Sequence, residues 1–324
     1  MTSDCPLPTR AYNMEILREP ARRGEPDCHG WVFGLPPGIA PDQWPLDPNT
    51  GYPLMHGFTV LLPDEYRCHG TEIVALSFFA VPAEHNDGGT ATTGKIFEIL
   101  KGTVVAPPPD PDLLPYWKSV RDSHPRLHRM TDVLDCEYAV ILLTQAEFDG
   151  PLCRPPPLGQ TPEISSSEQP RWLEVGSGHT FFDGSMPSYM IDPIPVEELG
   201  LYKLLGCVPE PWLEWNRAIR CVPRAEDPNA GKRPAWEFAG ENPDGYQSDY
   251  YYEGGVFTAG NFRWQPWRAG HGANHIGGTM RPCQQPPPFS PFYVEFEEHF
   301  GGYNFGGGNA QLDILNMKLD WACG

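Results

Sequence analysis

The sequence predicts an α+β protein, mostly β, in which two related β-rich halves pack as one compact unit with a few helices. Three observations carry this expectation. The 324 residues include 39 Pro and 34 Gly, a density that favours turns and short strands over long helices. Several apolar runs have the length or the period of strands. One order of features also occurs twice. Gly34–Val81 runs Gly-x-Pro, a Pro/Trp-rich stretch, a strand, a loop with Gly70 and an apolar strand. Gly277–Cys323 runs Gly-Gly, a Pro-rich stretch, a strand, a Gly-rich loop and a strand. Apolar residues at 40% and aromatics at 12% supply a core, which argues against disorder throughout.

Along the chain, residues 1–29 are polar and rich in Pro and Arg, and are expected to form a surface arm ahead of a domain spanning 30–324. Within that domain a first half covers about 30–150, a linker with a Pro triplet and a Ser triplet about 151–170, and a second half about 171–324. "GWVFGLPPGIAPDQWPLDPNTGYPL" is too Pro-rich for a helix and reads as extended, turn-punctuated chain. "GFTVLL", "IVALSFFAV" and "EYAVILL" read as strands, the second central because it is apolar on both faces. "KIFEIL" and "TVVAP" are expected as further short strands, "EHNDGGTATTG" as a loop and "DPDLLPYWKSVRDS" as a short helix. Helices are also expected over Ile194–Gly206 and Glu210–Val222, each with an early Pro, the first closed by Gly206. "DYYYEGGVFTAGNF" surrounds a hairpin through Gly254-Gly255. Phe292, Val294 and Phe296 alternate with polar residues, as do Leu315, Met317, Leu319 and Trp321; both runs read as half-buried strands, with "GGYNFGGG" turning between them.

Forty-two acidic residues against 23 basic ones leave a net charge of −19, which repels nucleic acid and anionic lipid and suits a basic partner. No apolar run reaches membrane-spanning length, and the opening "MTSDCPLPTR" lacks the apolar stretch of a secretion signal. Nine Cys without CxxC spacing fit reduced thiols, so a cytoplasmic location is expected.

Few motifs point to chemistry. His271 and His275 in "HGANH" stand four apart with Cys283 beyond, but the surrounding glycines disfavour the helix that would let two such His share a metal. "GGYNFGGG" lacks the Lys-Ser/Thr that a phosphate loop needs after its last Gly. Ser177, His179 and Asp183 fall in one stretch, "SGHTFFDGS", without a nucleophile elbow. The chain is therefore expected not to be an enzyme and to hold no metal, nucleotide or other cofactor. The segment most suggestive of function is Trp236–Gly255. It carries Glu237, Glu241, Asp244, Asp249 and Glu253 interleaved with Tyr246, Tyr250, Tyr251 and Tyr252, and no Lys or Arg occurs from Pro234 through Phe262. Acidic side chains steer a basic partner and tyrosines supply rigid contact area, so these nine residues are the expected partner-binding set. Glu295 and Glu297 share a strand face that, with Glu298, reads as a second acidic stripe.

"HIGGTMRPCQQPP" followed by "PFYVEFEEHFGGYNFGGGNAQLDILNMKLDWACG" resembles the C-terminal signature of the YwqG-like bacterial family. His275, Gly277, Gly278, Pro282 and Gln284 match its first part; Asn304, Phe305, Gly306, Gly308, Trp321 and Cys323 match its last. "FGLPPGIAPDQWP", "GYPLMHGFTVLLPDEY" and "IVALSFFAV" are similar to the family's N-terminal half, so the resemblance runs from about Gly30 with a poorly matched middle. The chain departs from the pattern where "VEFEE" replaces Gln-Ile-Asp and where "FGGGN" lacks the family's Asp. The resemblance implies an immunity protein that binds and neutralises a secreted bacterial toxin, such as a basic nuclease effector of type VI secretion, by covering its active or substrate-binding surface. The alternatives are a metal-dependent enzyme or small-ligand binder built around His271 and His275, and an adaptor.

Overall fold

The computed structural model describes residues 5–83, 94–157, 169–182, 212–235, 242 and 244–324. The strands are β1 (Tyr12–Ile16), β2 (Gly30–Phe33), β3 (Met55–Leu61), β4 (Ile73–Ala80), β5 (Leu127–Thr131), β6 (Glu137–Thr144), β7 (Asn216–Pro223), β8 (Tyr250–Tyr252), β9 (Phe262–Trp264), β10 (His275–Ile276), β11 (Tyr293–Glu297), β12 (Asn309–Asp313) and β13 (Lys318–Ala322). Eleven of them form one sheet in the order β13-β12-β11-β10-β1-β7-β2-β3-β4-β6-β5, every pair antiparallel. The sheet curls until it nearly closes: β13 comes beside β5, and Trp321 Nε1 donates to Asp132 Oδ2 at 2.7 Å across the gap. Strands β8 and β9 form a hairpin apart from it. The described helices are short: α1 (Lys95–Leu100), α2 (Leu114–Arg121), α3 (Gln145–Phe148), α4 (Trp172–Val175) and α5 (Ser177–Phe182). The protein is thus β-rich α+β, as expected.

The two halves correspond strand by strand. In the first, β2, a Pro-rich stretch, β3, a loop and β4 run in order, and β6 pairs outside β4. In the second, β10, a Pro-rich stretch, β11, a loop and β12 run likewise, and β13 pairs outside β12. Gly34 after β2 and Gly277 after β10 share a left-handed φ, 65° and 62°. Each half also sends a tyrosine from its loop onto a glycine of the other. A Cβ on Gly57 in β3 would lie 1.3 Å from Tyr303 Oη, and one on Gly277 would lie 1.8 Å from Tyr66 Oη. No side chain fits at either position.

The inner faces meet in one aromatic core. Phe58 and Phe78 from the first half each sit 5.1 Å, centroid to centroid, from Phe296 of the second, and Phe300 lies 5.1 Å from Phe58. All four are fully buried. Edge-to-face contact of this kind adds to the burial of large apolar area. On the outer side of the first half, Trp44 stacks on Trp172 of α4 and meets Phe79 of β4 edge-on.

Several expectations are corrected. Residues 12–16, read as part of a surface arm, form β1 in the middle of the sheet, between β10 and β7. The helix expected over Glu210–Val222 is replaced, from Asn216 on, by strand β7; β1 and β2 flank it and satisfy its backbone on both sides, which overrides local helical preference. "KIFEIL" is helix α1, with Ile96, Ile99 and Leu100 buried at helical spacing, and "TVVAP" is irregular. The strand expected over Leu315–Trp321 begins only at Lys318, as β13, after a turn at Met317 with φ 49°, and a strand that was not expected, β12, precedes it from Asn309. Trp321 is half-buried at the seam. The loop read over 84–94, apart from Gly94, and the helix read over Ile194–Gly206 lie outside the described residues. Among the described residues, no helix is long and apolar enough to cross a membrane.

Candidate functional site

One cross-strand row differs sharply in character between the two halves. In the first half Trp31, Thr59, Ser77 and Ile141 are directly paired across β2, β3, β4 and β6. The matching row of the second half is His275, Glu295, Gln311 and Asp320, extended by Asn13 of β1. Directly opposed residues face the same side of a sheet. A hydroxyl pair in one half is therefore replaced by a carboxyl and an amide in the other. Glu295 is not on an exposed acidic stripe: His275, Glu295 and Gln311 are fully buried, Glu298 is buried and Glu297 half-buried. Arg224 and Arg281 lie over this face: Arg224 Nε donates to Asn13 and the Arg281 N–H to Glu295.

The row is bonded as a network. His275 Nδ1 lies 2.9 Å from the Gly277 carbonyl, which can only accept, so Nδ1 carries the ring proton. Nε2, 3.2 Å from Glu295 Oε1, is then an acceptor in the neutral ring, and a protonated Glu295 supplies the donor. Burial pushes the Glu295 carboxyl up to about 8, only partly offset by the Arg281 N–H bond and the charges of Arg224 and Arg281. Burial, and then the same two arginines, hold His275 well below the usual histidine range. Above this pair, Arg224 and Asp227 are buried together at 3.3 Å. Arg224 Nε donates to Asn13 Oδ1 at 2.7 Å, and Asp227 accepts from Thr279 N, Thr279 Oγ1 and Asn229 N at 2.8–3.0 Å. Burial works to raise Asp227, but these bonds and Arg224 outweigh it and keep the carboxylate ionised.

The raised acid gives a signed pH dependence. The folded state holds the Glu295 proton between the usual glutamate range and about pH 8, where the unfolded chain has lost it. Its contribution to stability therefore falls as pH rises through that window. Glu295→Gln keeps a donor for His275 and an acceptor for Arg281. The variant is expected to match the parent near pH 5 and to melt at a higher temperature above pH 8, as thermal unfolding across that range would show. A constant difference at all pH values would contradict a protonated Glu295.

A cleft of about 360 Å³ opens beside the network, lined by Tyr246, Asp249, Tyr250, Phe262, Trp264, Arg268, Thr279, Arg281 and Gln284 among others. Tyr246 is buried, and its hydroxyl accepts from Met280 N at 2.6 Å. Asn229, also buried, exchanges two hydrogen bonds with Gln247. These contacts pin the chain leading into β8. Asp249 Oδ2 lies 2.7 Å from Arg268 Nε and 3.0 Å from Arg281 Nε. The Arg268 guanidinium rests 3.7 Å from the centroid of the Trp264 ring.

The expected partner-binding residues separate here. Glu237 and Glu241 lie outside the described residues. Asp244 pairs with Arg233 at 2.8 Å and Glu253 with Arg263 at 2.8 Å. Tyr246 serves the interior, Asp249 and Tyr250 line the cleft, Tyr252 is half-buried, and Tyr251 is 42% exposed. Sequence reading missed the exposed neighbours Val256 (51%), Phe257 (69%) and Trp264 (50%), although Phe257 beside a Gly-Gly turn was a visible signal. His271 and His275 have separate partners: His271 Nε2 lies 3.3 Å from the Ala225 carbonyl, and His275 is taken by Gly277 and Glu295. Among the described residues no group of three or more His, Cys, Asp or Glu is placed to hold a metal ion. Compared with protein-family models, curated proteins and solved structures, the chain matches none of them.

Proposed function

We propose that the chain is a protein-binding protein and that the β8–β9 hairpin with its tip is the contact surface. One observation carries this reading. Tyr251, Val256 and Phe257 are exposed on β8 and just beyond it, outside the main sheet, where they add nothing to its core. Large apolar and aromatic side chains left in water on a braced element are what a partner's pocket buries. The hairpin is stiffened by its own rings, Tyr250 against Phe262 at 5.3 Å and Phe262 against Trp264 at 4.7 Å, so little order has to be gained on binding.

The narrower reading is an immunity protein acting by occlusion on a basic toxin. Its support is the resemblance to the YwqG-like family and the net charge of −19. Asp244, Asp249 and Glu253 are matched by arginines of the same chain, so attraction to a basic partner comes from the whole field and is felt in the association rate. A cytoplasmic location belongs to the same proposal; Cys28, Cys68, Cys153, Cys221, Cys283 and Cys323 are thiols outside any disulfide, which suits a reducing compartment.

The test is co-expression with the toxin candidate encoded by the adjacent gene. The parent chain is expected to protect the cell and to co-purify with that product. Tyr251→Ala combined with Phe257→Ala is expected to weaken binding by about thirtyfold or more, with an unchanged melting temperature. Full protection and unchanged affinity in the double variant would contradict the reading.

A further inference from the structure

We propose that the cleft between the β8–β9 hairpin and the covered sheet face binds a small organic carboxylate bearing a flat ring. This inference rests on Arg268 and Arg281 and on the face of the hairpin that carries Tyr250, Phe262 and Trp264, none of which the partner reading uses for contact.

The local charge balance is the first ground. Three guanidiniums, Arg224, Arg268 and Arg281, gather around the cleft and the network beneath it, and two carboxyl groups, Asp227 and Asp249, are paired with them. Glu295 does not restore the balance, since it serves as hydrogen-bond donor to His275 in its protonated form. Arg224 is matched by Asp227, so the excess falls on Arg268 and Arg281, which share a single oxygen of Asp249. A positive excess in a partly buried site is costly unless an anion meets it, and here it occurs in a chain whose net charge is −19.

Unused hydrogen-bonding capacity is the second ground. Arg281 Nη1 donates to the His271 carbonyl at 3.1 Å, while Nη2 is buried without a hydrogen-bond partner. Arg268 presents its Nε edge to Asp249 and its face to Trp264. A carboxylate is the acceptor that a guanidinium edge suits best, because two parallel N–H bonds fit its two oxygens.

The walls supply the rest of the ligand's chemistry. Tyr250, Phe262 and Trp264 form one side, and Met280, Pro282 and Pro286 lie among the residues that complete the lining. The volume, about 360 Å³, is in the range of small-molecule sites, and apolar walls with a few convergent polar groups are their usual make-up. A ring between these walls, with its carboxylate toward Arg268 and Arg281, satisfies both features together.

Titration calorimetry with benzoate, benzamide and acetate tests the proposal on the full chain. Benzoate is expected to bind saturably with one site per chain. Benzamide lacks the charge and acetate lacks the ring, and each is expected to bind at least about tenfold more weakly. Arg268→Gln and Arg281→Gln are each expected to weaken benzoate by at least about tenfold. Arg233→Gln, which removes a cation away from the cleft, is expected to leave it unchanged. Arg281 is packed against the network and its variant is checked by melting temperature; Arg268, at the cleft edge, has a side chain 31% exposed and provides a variant that keeps the fold. Absence of saturable benzoate binding, equal binding of benzamide or acetate, or full benzoate affinity in Arg268→Gln would each overturn the proposal.

Discussion

Phe296→Ala is expected to destabilise the protein by about 3–5 kcal/mol, the range for truncating a fully buried Phe. Phe296 lies where the two halves meet. Its ring contacts Phe58 and Phe78 of the first half, and Tyr303 and Phe305 of its own. Removing it leaves a void lined by other rings, which are held by strands on both sides and cannot collapse into it. Phe296→Leu keeps more of the volume and is expected to cost less. Trp321→Ala should also cost less, because that ring is half-buried at the seam, although its hydrogen bond to Asp132 is lost with it. Urea unfolding followed by fluorescence gives the comparison. A midpoint for Phe296→Ala equal to that of the parent would mean that the halves do not share a core.

Asp227→Ala is expected to cost a similar amount, about 3–5 kcal/mol, for an electrostatic reason. Asp227 is the counter-ion of Arg224, whose side chain is fully buried, and it also accepts from Thr279 and Asn229. Without it a guanidinium stays buried and unpaired, and several N–H and O–H donors lose their acceptor. Asp227→Asn keeps the size and part of the bonding but loses the charge, and is expected to fall between Ala and the parent. Denaturation at neutral pH checks the order of the three proteins. Parent-like stability in Asp227→Ala would show that water reaches Arg224 and that the network is open.

The strands with long apolar runs were legible. β3, β4 and β6 announce themselves in "GFTVLL", "IVALSFFAV" and "EYAVILL", and β4 is internal as its two-sided apolar character requires. The duplicated order of features was legible too, although its last strand was matched to the wrong segment. β12 reads Asn309, Gln311 and Asp313 against Ala310 and Leu312, a clean period of two whose polar side is also buried. That pattern looks like a turn until the covering segment is known. β1 and β7 could not be placed from local preference. They exist because each completes the other's backbone pairing, between partners about 200 residues apart in sequence. α1 was misread despite a helical 96, 99, 100 spacing, since a six-residue apolar run does not separate helix from strand by composition.

The site was legible as a segment and not as a surface. Of the acids and tyrosines between Trp236 and Gly255, Tyr246, Asp249 and Tyr250 line the cleft and Tyr251, Tyr252 and Glu253 belong to the hairpin. The acids' partners, Arg233, Arg263, Arg268 and Arg281, all lie outside the cation-free run, so no window of sequence shows that the acids are already paired. Replacing Asp249 by Lys would therefore place a third cation against Arg268 and Arg281 and disturb the cleft, whatever the partner does. Glu295 shows the same limit. Its alternation with Val294 and Phe296 is plain, but Arg224 and Arg281 lie over its face, and burial there turns an apparent surface acid into an interior hydrogen-bond donor.

Amide hydrogen exchange of the full chain, with and without the protein encoded by the adjacent gene, tests the partner surface most directly. Slowed exchange confined to 250–264 on complex formation is expected, with the amides of β3, β4 and β11 unaltered. Unchanged exchange in the hairpin, with protection appearing on another face of the sheet, would contradict the assignment of that hairpin as the binding surface.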